Sequence, residues 1–185
     1  MTKPSNISDF ISELDASAAN QIILSDISVT TATPKLPSPL LTASGALENA
    51  SLILVTMTSK CGIEGHSYLF SPNAKLLPAL ASAVSVAFEE VKGRSCSPEM
   101  NTDHLLDKFK LFGGTGILTM AFAAVDMASW DLLAHALRKP LYRLWGGTKT
   151  PIPSYESSGL SIGSISQVLK QAETFLINGN SRMKV

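Results

Sequence analysis

Residues 115–137 form a stretch that is apolar nearly all round, and it limits the folds open to this chain. Ile117, Met120, Ala121, Ala124, Val125, Ala128, Leu132 and Leu133 recur at helical spacing. They cover more of the circumference than one core-facing stripe requires. A helix of this kind is buried between layers, so other elements must wrap it on more than one side. The upstream sequence supplies them. Residues 21–31 alternate well enough for a strand, with Ile23, Ile27 and Val29 on one face. Residues 51–58 (Leu52-Ile53-Leu54-Val55 at their centre) and 63–70 form two further β-rich runs around the turn Ser59-Lys60-Cys61-Gly62, predicting a hairpin. Residues 33–49 hold three prolines, Gly45 and several hydroxyl residues, and read as a long loop of the kind often used as a lid.

Helices follow the strands. Ser71-Pro72 looks like a cap with a first-turn proline, and Leu77, Leu80, Val84, Phe88 and Val91 make an apolar stripe that Gly93 ends. Pro78 interrupts that pattern, so the helix either begins near it or kinks there. A second helix is expected over about 97–112, with Leu105, Phe109 and Phe112 facing inward and Gly113 as its stop. After residue 137 comes a short helical piece from Leu141 to Trp145, ending at Gly146-Gly147.

The last segment changes character. Ile152 to Tyr155 is a strand candidate, and Ser164 and Gln167 have capping-box spacing. Ile165, Val168, Leu169, Ala172 and Leu176 give the next helix an apolar face, Gly179 stops it, and Ser181 to Val185 opens another strand. Strand, helix and strand in this order begin a parallel α/β unit, which needs neighbouring strands to pair its backbone. The expected organisation is a flexible leader over 1–20, an α+β domain over 21–150 and an incomplete β/α segment over 151–185.

Composition narrows the partners. Hydrophobic residues make up 45% of the chain, enough for a sizeable core. Charged residues are 16%, against about 25% in typical domains, as expected where another domain or subunit covers much of the surface. Fifteen basic and fifteen acidic residues cancel without a basic block, which argues against nucleic acid and anionic membrane. The leader carries Asp9, Glu13 and Asp15 and no long apolar run, unlike a signal peptide or anchor. Cys61 and Cys96 lack a CxxC pattern and read as free thiols in a reducing, cytoplasmic setting.

Three runs carry a resemblance. Ala124-Val125-Asp126-Met127-Ala128-Ser129-Trp130-Asp131-Leu132-Leu133 is followed by Lys139-Pro140-Leu141-Tyr142-Arg143-Leu144-Trp145-Gly146-Gly147 and then by Ile152-Pro153-Ser154-Tyr155. In this order and spacing they resemble the enolase superfamily, in its mandelate racemase/muconate lactonizing enzyme branch. Gly65-His66-Ser67-Tyr68-Leu69-Phe70 adds a likeness to mandelate racemase. The resemblance implies an α+β capping domain, a three-stranded antiparallel meander followed by helices, joined to the start of a β/α barrel. It also implies Mg²⁺-assisted removal of the proton next to a carboxylate, the ion stabilising the enediolate.

Under the same resemblance, Gly179 to Val185 aligns with the second barrel strand and its Lys-x-Lys pair. Lys184 takes the place of the lysine near the substrate carboxylate, and the base falls one residue past Val185. The family's three metal-holding carboxylates lie on later strands, so no Mg²⁺ is expected on this chain, which supplies one barrel strand and part of a second where a barrel needs eight strands and roughly 250 residues. The chain is therefore expected to be catalytically incomplete. The full-length protein is expected to take a small carboxylic acid, a 2-hydroxy acid being favoured, and to form a homo-oligomer. Tyr68 is a candidate for a substrate-contacting hydroxyl. The alternatives are a stand-alone binding or interaction domain, and a sugar-acid dehydratase or cycloisomerase on the same scaffold.

Asp126 and Asp131 tempt as a catalytic pair, yet five residues of helix turn them about 140° apart, which argues against a shared substrate. Each is expected to bond backbone or an Arg/Lys at a domain interface. Asp131 and His135 have i,i+4 spacing without a third metal ligand, so a helix-surface hydrogen bond is expected between them. His104 reads as solvated. Gly113-Gly114-Thr115-Gly116 precedes a helix but follows another, and reads as a turn rather than an anion cradle.

Overall fold

The computed structural model describes residues 22–42, 45–157 and 163–184. The leader and Val185 lie outside the described residues. The chain divides into two units: residues 22–32 with 51–149, and residues 33–50 with 150–184.

In the first unit β1 (Leu24–Ala32), β4 (Ser51–Ser59) and β5 (Glu64–Ser71) form an antiparallel sheet in that order. It is the expected meander. Strict alternation sets its two faces: Ile53, Val55 and Met57 are buried, while Leu54 and Tyr68 are opposed on the other face. In β1 a register shift between Leu24 and Asp26 changes the parity. Leu24 is therefore fully buried, and Ile23, expected on the face of Ile27 and Val29, is not in step with them.

The first helix, α1 (Leu77–Val91), buries all five residues of its predicted stripe. Its start differs from the expected Ser71 cap. Asn73 caps a 3₁₀ turn over Ala74–Leu76 by accepting from the Lys75 amide, and α1 then begins with Pro78 in its first turn. Pro78 thus marks the start and causes no kink, because amides in the first turn have no helical acceptor. The second helix, α2 (Pro98–Lys108), tightens into a 3₁₀ turn over Lys110–Phe112. That change of pitch sends Phe109 onto Phe122, with ring centroids 5.5 Å apart, and leaves Phe112, expected inward, 74% exposed.

The apolar stretch becomes α3 (Ile117–Leu137), which packs on α1, α2, β4 and β5. It is long and apolar enough to cross a membrane by length and composition, but more than half of it is buried inside the protein. The left-handed C-cap Arg138 ends it, and α4 (Leu141–Leu144) follows. Glycines 113 and 116 have positive φ in the turn before α3, as a turn reading requires.

The second unit holds a finding the sequence did not suggest. Residues 33–49, expected as a loop, form a hairpin of β2 (Lys35–Thr42) and β3 (Gly45–Asn49). Pro37 and Pro39 fall in the stretch where the register shifts between Lys35 and Leu40. A two-stranded ribbon has only edges, and there a residue without N–H costs no ladder bond. Helix α5 (Ile165–Ile177) carries the predicted capping box: the Gln167 amide donates to Ser164 Oγ, and the Ser164 amide donates to Gln167 Oε1. The strands flanking it reduce to one parallel bridge, Glu156 with Met183. Residues 152–155 are irregular, so the pairing falls one residue later than expected. One parallel pair without further neighbours gives too few bonds to extend a ladder.

Candidate functional site

Helix α3 is clamped along the free edge of β5, and this clamp shapes the surface between them. Ser67 Oγ donates to the Ala124 carbonyl at 2.7 Å, and the His66 amide donates to Asp131 Oδ2 at 2.8 Å. His135 Nδ1 lies 2.8 Å from the Glu64 carbonyl, so that nitrogen carries the proton and donates. The three bonds advance together along strand and helix, and two of them, at the His66 amide and the Glu64 carbonyl, occupy edge groups that would otherwise be unpaired. Gly65 makes the approach possible. A Cβ there would collide with the Ala128 carbonyl and the Leu132 amide and lie 2.5 Å from Leu132 Cβ. The Gly-His-Ser-Tyr run is thus first of all a packing motif.

Beside the clamp, β5, α2, α3 and α4 enclose a groove of about 880 Å³. Its apolar wall includes Met127, Leu141, Trp130 and Trp145, the two indoles meeting nearly edge-on at 5.6 Å and 80°. Tyr68, 64% exposed, lines it from the strand. Four carboxylates, Glu99, Asp103, Asp126 and Asp131, also line it, and among the described residues no lysine or arginine does. Asp126 accepts from the Thr102 hydroxyl at 3.0 Å. Burial raises its carboxyl above the ordinary range, and the Thr102 bond partly opposes this.

These contacts revise several expectations. Asp131 bonds backbone as expected, whereas Asp126 bonds a side-chain hydroxyl, and among the described residues neither bonds an Arg or Lys. The two carboxylates, expected to diverge too far for one ligand, line the same groove, because it runs across α3 from the β5 edge to α2. His135 stands 3.9 Å from Asp131 and spends its proton on the Glu64 carbonyl instead. His104 is half-buried rather than solvated. Both cysteines are free thiols. Cys61 is exposed, and the Ser59 hydroxyl draws its thiol below the ordinary value. Cys96 is buried against the Ser129 carbonyl, and burial pushes its thiol up to about 12.

Lys184 lies in the second unit, where its amide donates to the Glu156 carbonyl at 2.8 Å and its side chain is exposed. Tyr68 belongs to the first unit. Among the described residues no three His, Cys, Asp or Glu side chains converge as metal ligands. The described residues therefore offer no site in which three protein carboxylates would hold Mg²⁺.

The sheet, the clamped helix and the connector after it can now be set beside known proteins. Residues 26–146 match the mandelate racemase / muconate lactonizing enzyme N-terminal domain. The chain belongs to this family. A curated relative, 3,6-anhydro-alpha-L-galactonate cycloisomerase of Streptomyces coelicolor, is 26% identical over 147 residues, covering 76% of this chain and 39% of that protein. L-talarate/galactarate dehydratase of Salmonella typhimurium is 26% identical over 156 residues, covering 83% and 39%. A solved enolase from Bradyrhizobium, complexed with magnesium and mandelic acid, superposes with a TM-score of 0.76 at 29% identity, covering 83% of this chain and 42% of that one. The chain thus spans less than half the length of these relatives. In this family's terms, residues 26–146 are the capping domain of the enolase superfamily, with antiparallel strands first and helices after.

Proposed function

We propose that this chain is the capping portion and first barrel elements of a Mg²⁺-dependent enzyme that removes the α-proton of a small carboxylic acid. The observation that carries the reading is continuity. The family match ends at residue 146, and the next described elements are a capped helix and a parallel bridge, the beginning of a β/α barrel. Lys184 lies one residue past the bridge partner Met183, where it would meet the substrate carboxylate once a barrel is complete. Tyr68 is our separate candidate for a substrate-contacting hydroxyl. A 2-hydroxy acid is the favoured substrate, supported by the Gly65–Phe70 run and by mandelic acid in the Bradyrhizobium relative. We place the enzyme in the cytoplasm as a homo-oligomer.

The chain by itself should be catalytically silent, because its described residues gather no three metal ligands. Exchange of the mandelate α-proton, followed by NMR in D₂O with Mg²⁺, tests this directly. The chain alone should give no exchange. A fusion of residues 22–184 to the remaining barrel of the Bradyrhizobium relative should give exchange that Lys184→Ala abolishes. A folded, Mg²⁺-binding fusion that exchanges neither mandelate nor a sugar acid would refute the reading.

A further inference from the structure

Apart from the Tyr68 hydroxyl, the groove between β5, α2, α3 and α4 has a chemistry that the proposed reaction does not use. Its wall is apolar and aromatic, while its charge is all of one sign. Asp126 Oδ1 is engaged by Thr102 and Asp131 Oδ2 by the His66 amide, and among the described residues the second oxygen of each carboxylate meets no protein donor. Glu99 and Asp103 make no ion pair among the described residues either. Among the described residues the only lining side chain able to carry positive charge is His66, whose Nδ1 already meets Thr56 Oγ1 at 3.1 Å. Asp126 and Asp131 are partly buried beside this apolar wall, where a carboxylate is costly unless a donor or cation joins it. Glu99 and Asp103 are exposed and add negative charge at its rim.

The indole pair sharpens the choice of cation. Trp130 is nearly buried, whereas Trp145 is 46% exposed and so offers surface to a ligand. A guanidinium stacks on such rings and donates in plane to carboxylates, while an ammonium is more strongly hydrated and acts as a point charge. A cavity of about 880 Å³ exceeds what one guanidinium needs and suits a side chain together with flanking apolar residues. We propose that this groove docks an arginine-bearing polypeptide segment of a partner, with its guanidinium held between the indole pair and the Asp103/Asp126 carboxylates. Charge complementarity selects the occupant. This inference is independent of the barrel reading, since every residue it uses lies in the first unit.

Both tryptophans of the chain line the groove, so emission excited selectively in tryptophan reports on it. The probe is an acetylated, amidated leucine–arginine–leucine peptide, titrated beside its citrulline counterpart of equal shape and no charge. The expected result is a saturable emission change with the arginine peptide, at least about tenfold tighter than with citrulline. It should weaken as NaCl rises from about 50 to 500 mM. Asp126→Asn with Asp103→Asn should weaken it at least about fivefold. The exposed Glu99→Gln, checked for unchanged circular dichroism, should weaken it about twofold and keeps the test valid if the double variant misfolds. Equal binding of the two peptides would show a generic apolar groove and overturn the proposal. So would salt-indifferent binding, or no response to the arginine peptide.

Discussion

Replacing Gly65 with alanine adds one methyl group at the tightest contact between strand and helix. The added carbon would collide with the Ala128 carbonyl and the Leu132 amide, both backbone atoms of α3, and stand 2.5 Å from Leu132 Cβ. Backbone cannot turn aside as a side chain does, so β5 and α3 must separate by about an ångström to restore ordinary contact. That movement stretches the His66–Asp131 and Ser67–Ala124 bonds, now 2.8 and 2.7 Å. Overpacking of a close-packed contact costs about 1–3 kcal/mol, and each weakened bond adds roughly 0.5–1.5 kcal/mol. The expected loss is therefore about 3 kcal/mol, or a Tm lower by roughly 6–12 °C in a domain of this size. Urea denaturation followed by circular dichroism measures it. Gly114→Ala is the control, since a Cβ there meets nothing within 4 Å and its φ is not positive; it should stay within about 0.5 kcal/mol of the parent. A Gly65→Ala protein as stable as the control would refute the packing account of the Gly-His-Ser-Tyr run.

Asp131→Ala should cost about 2 kcal/mol by leaving the His66 amide without its acceptor, and should speed hydrogen exchange at that amide more than at the β4 amides. Asp126→Asn should raise stability at neutral pH, because burial holds the carboxyl above its unfolded value of 3.8 and ionisation therefore opposes folding; the gain should vanish as pH falls below 3.8, where both states are protonated, as paired pH–Tm curves would show. Cys96 acts with the same sign at the alkaline end: folding keeps its thiol protonated, so stability falls as pH rises from the ordinary thiol value of 9.0 towards about 12, and Cys96→Ala should flatten that limb. Iodoacetamide should label the native protein at Cys61 and spare Cys96, with mass mapping as the readout; preferential labelling of Cys96 would contradict its burial.

Elements whose signal is periodic were legible in the sequence. The alternation around Val55, the stripe from Leu77 to Val91 and the Ser164/Gln167 cap each depend on residues a few positions apart, and each folds as read. The β2–β3 hairpin was hidden because its prolines suggest a loop and only a ribbon with two free edges tolerates them. Phe112 was misplaced because a 3₁₀ turn changed the helical pitch just before it. The parity of Ile23 depended on one irregularity in pairing with Thr58 and Ser59, more than thirty residues away. The groove was least legible, since Tyr68, Asp103, Asp126 and Trp145 share a wall only after four elements pack. The helical angle between Asp126 and Asp131 was sound arithmetic, but it does not measure the width of a cleft crossing the helix.

The clamp between β5 and α3 also bears on how the chain folds. The strands emerge from the ribosome first, yet the helix that covers β5 ends at Leu137, and the bond from His66 to Asp131 closes a separation of 65 residues. Closing such long loops slows the approach to the native state. Until α3 arrives, only α1 is available to cover the Ile53, Val55 and Met57 face, and the β5 edge is free to recruit another chain. Completion of α3 is thus the step that closes this edge.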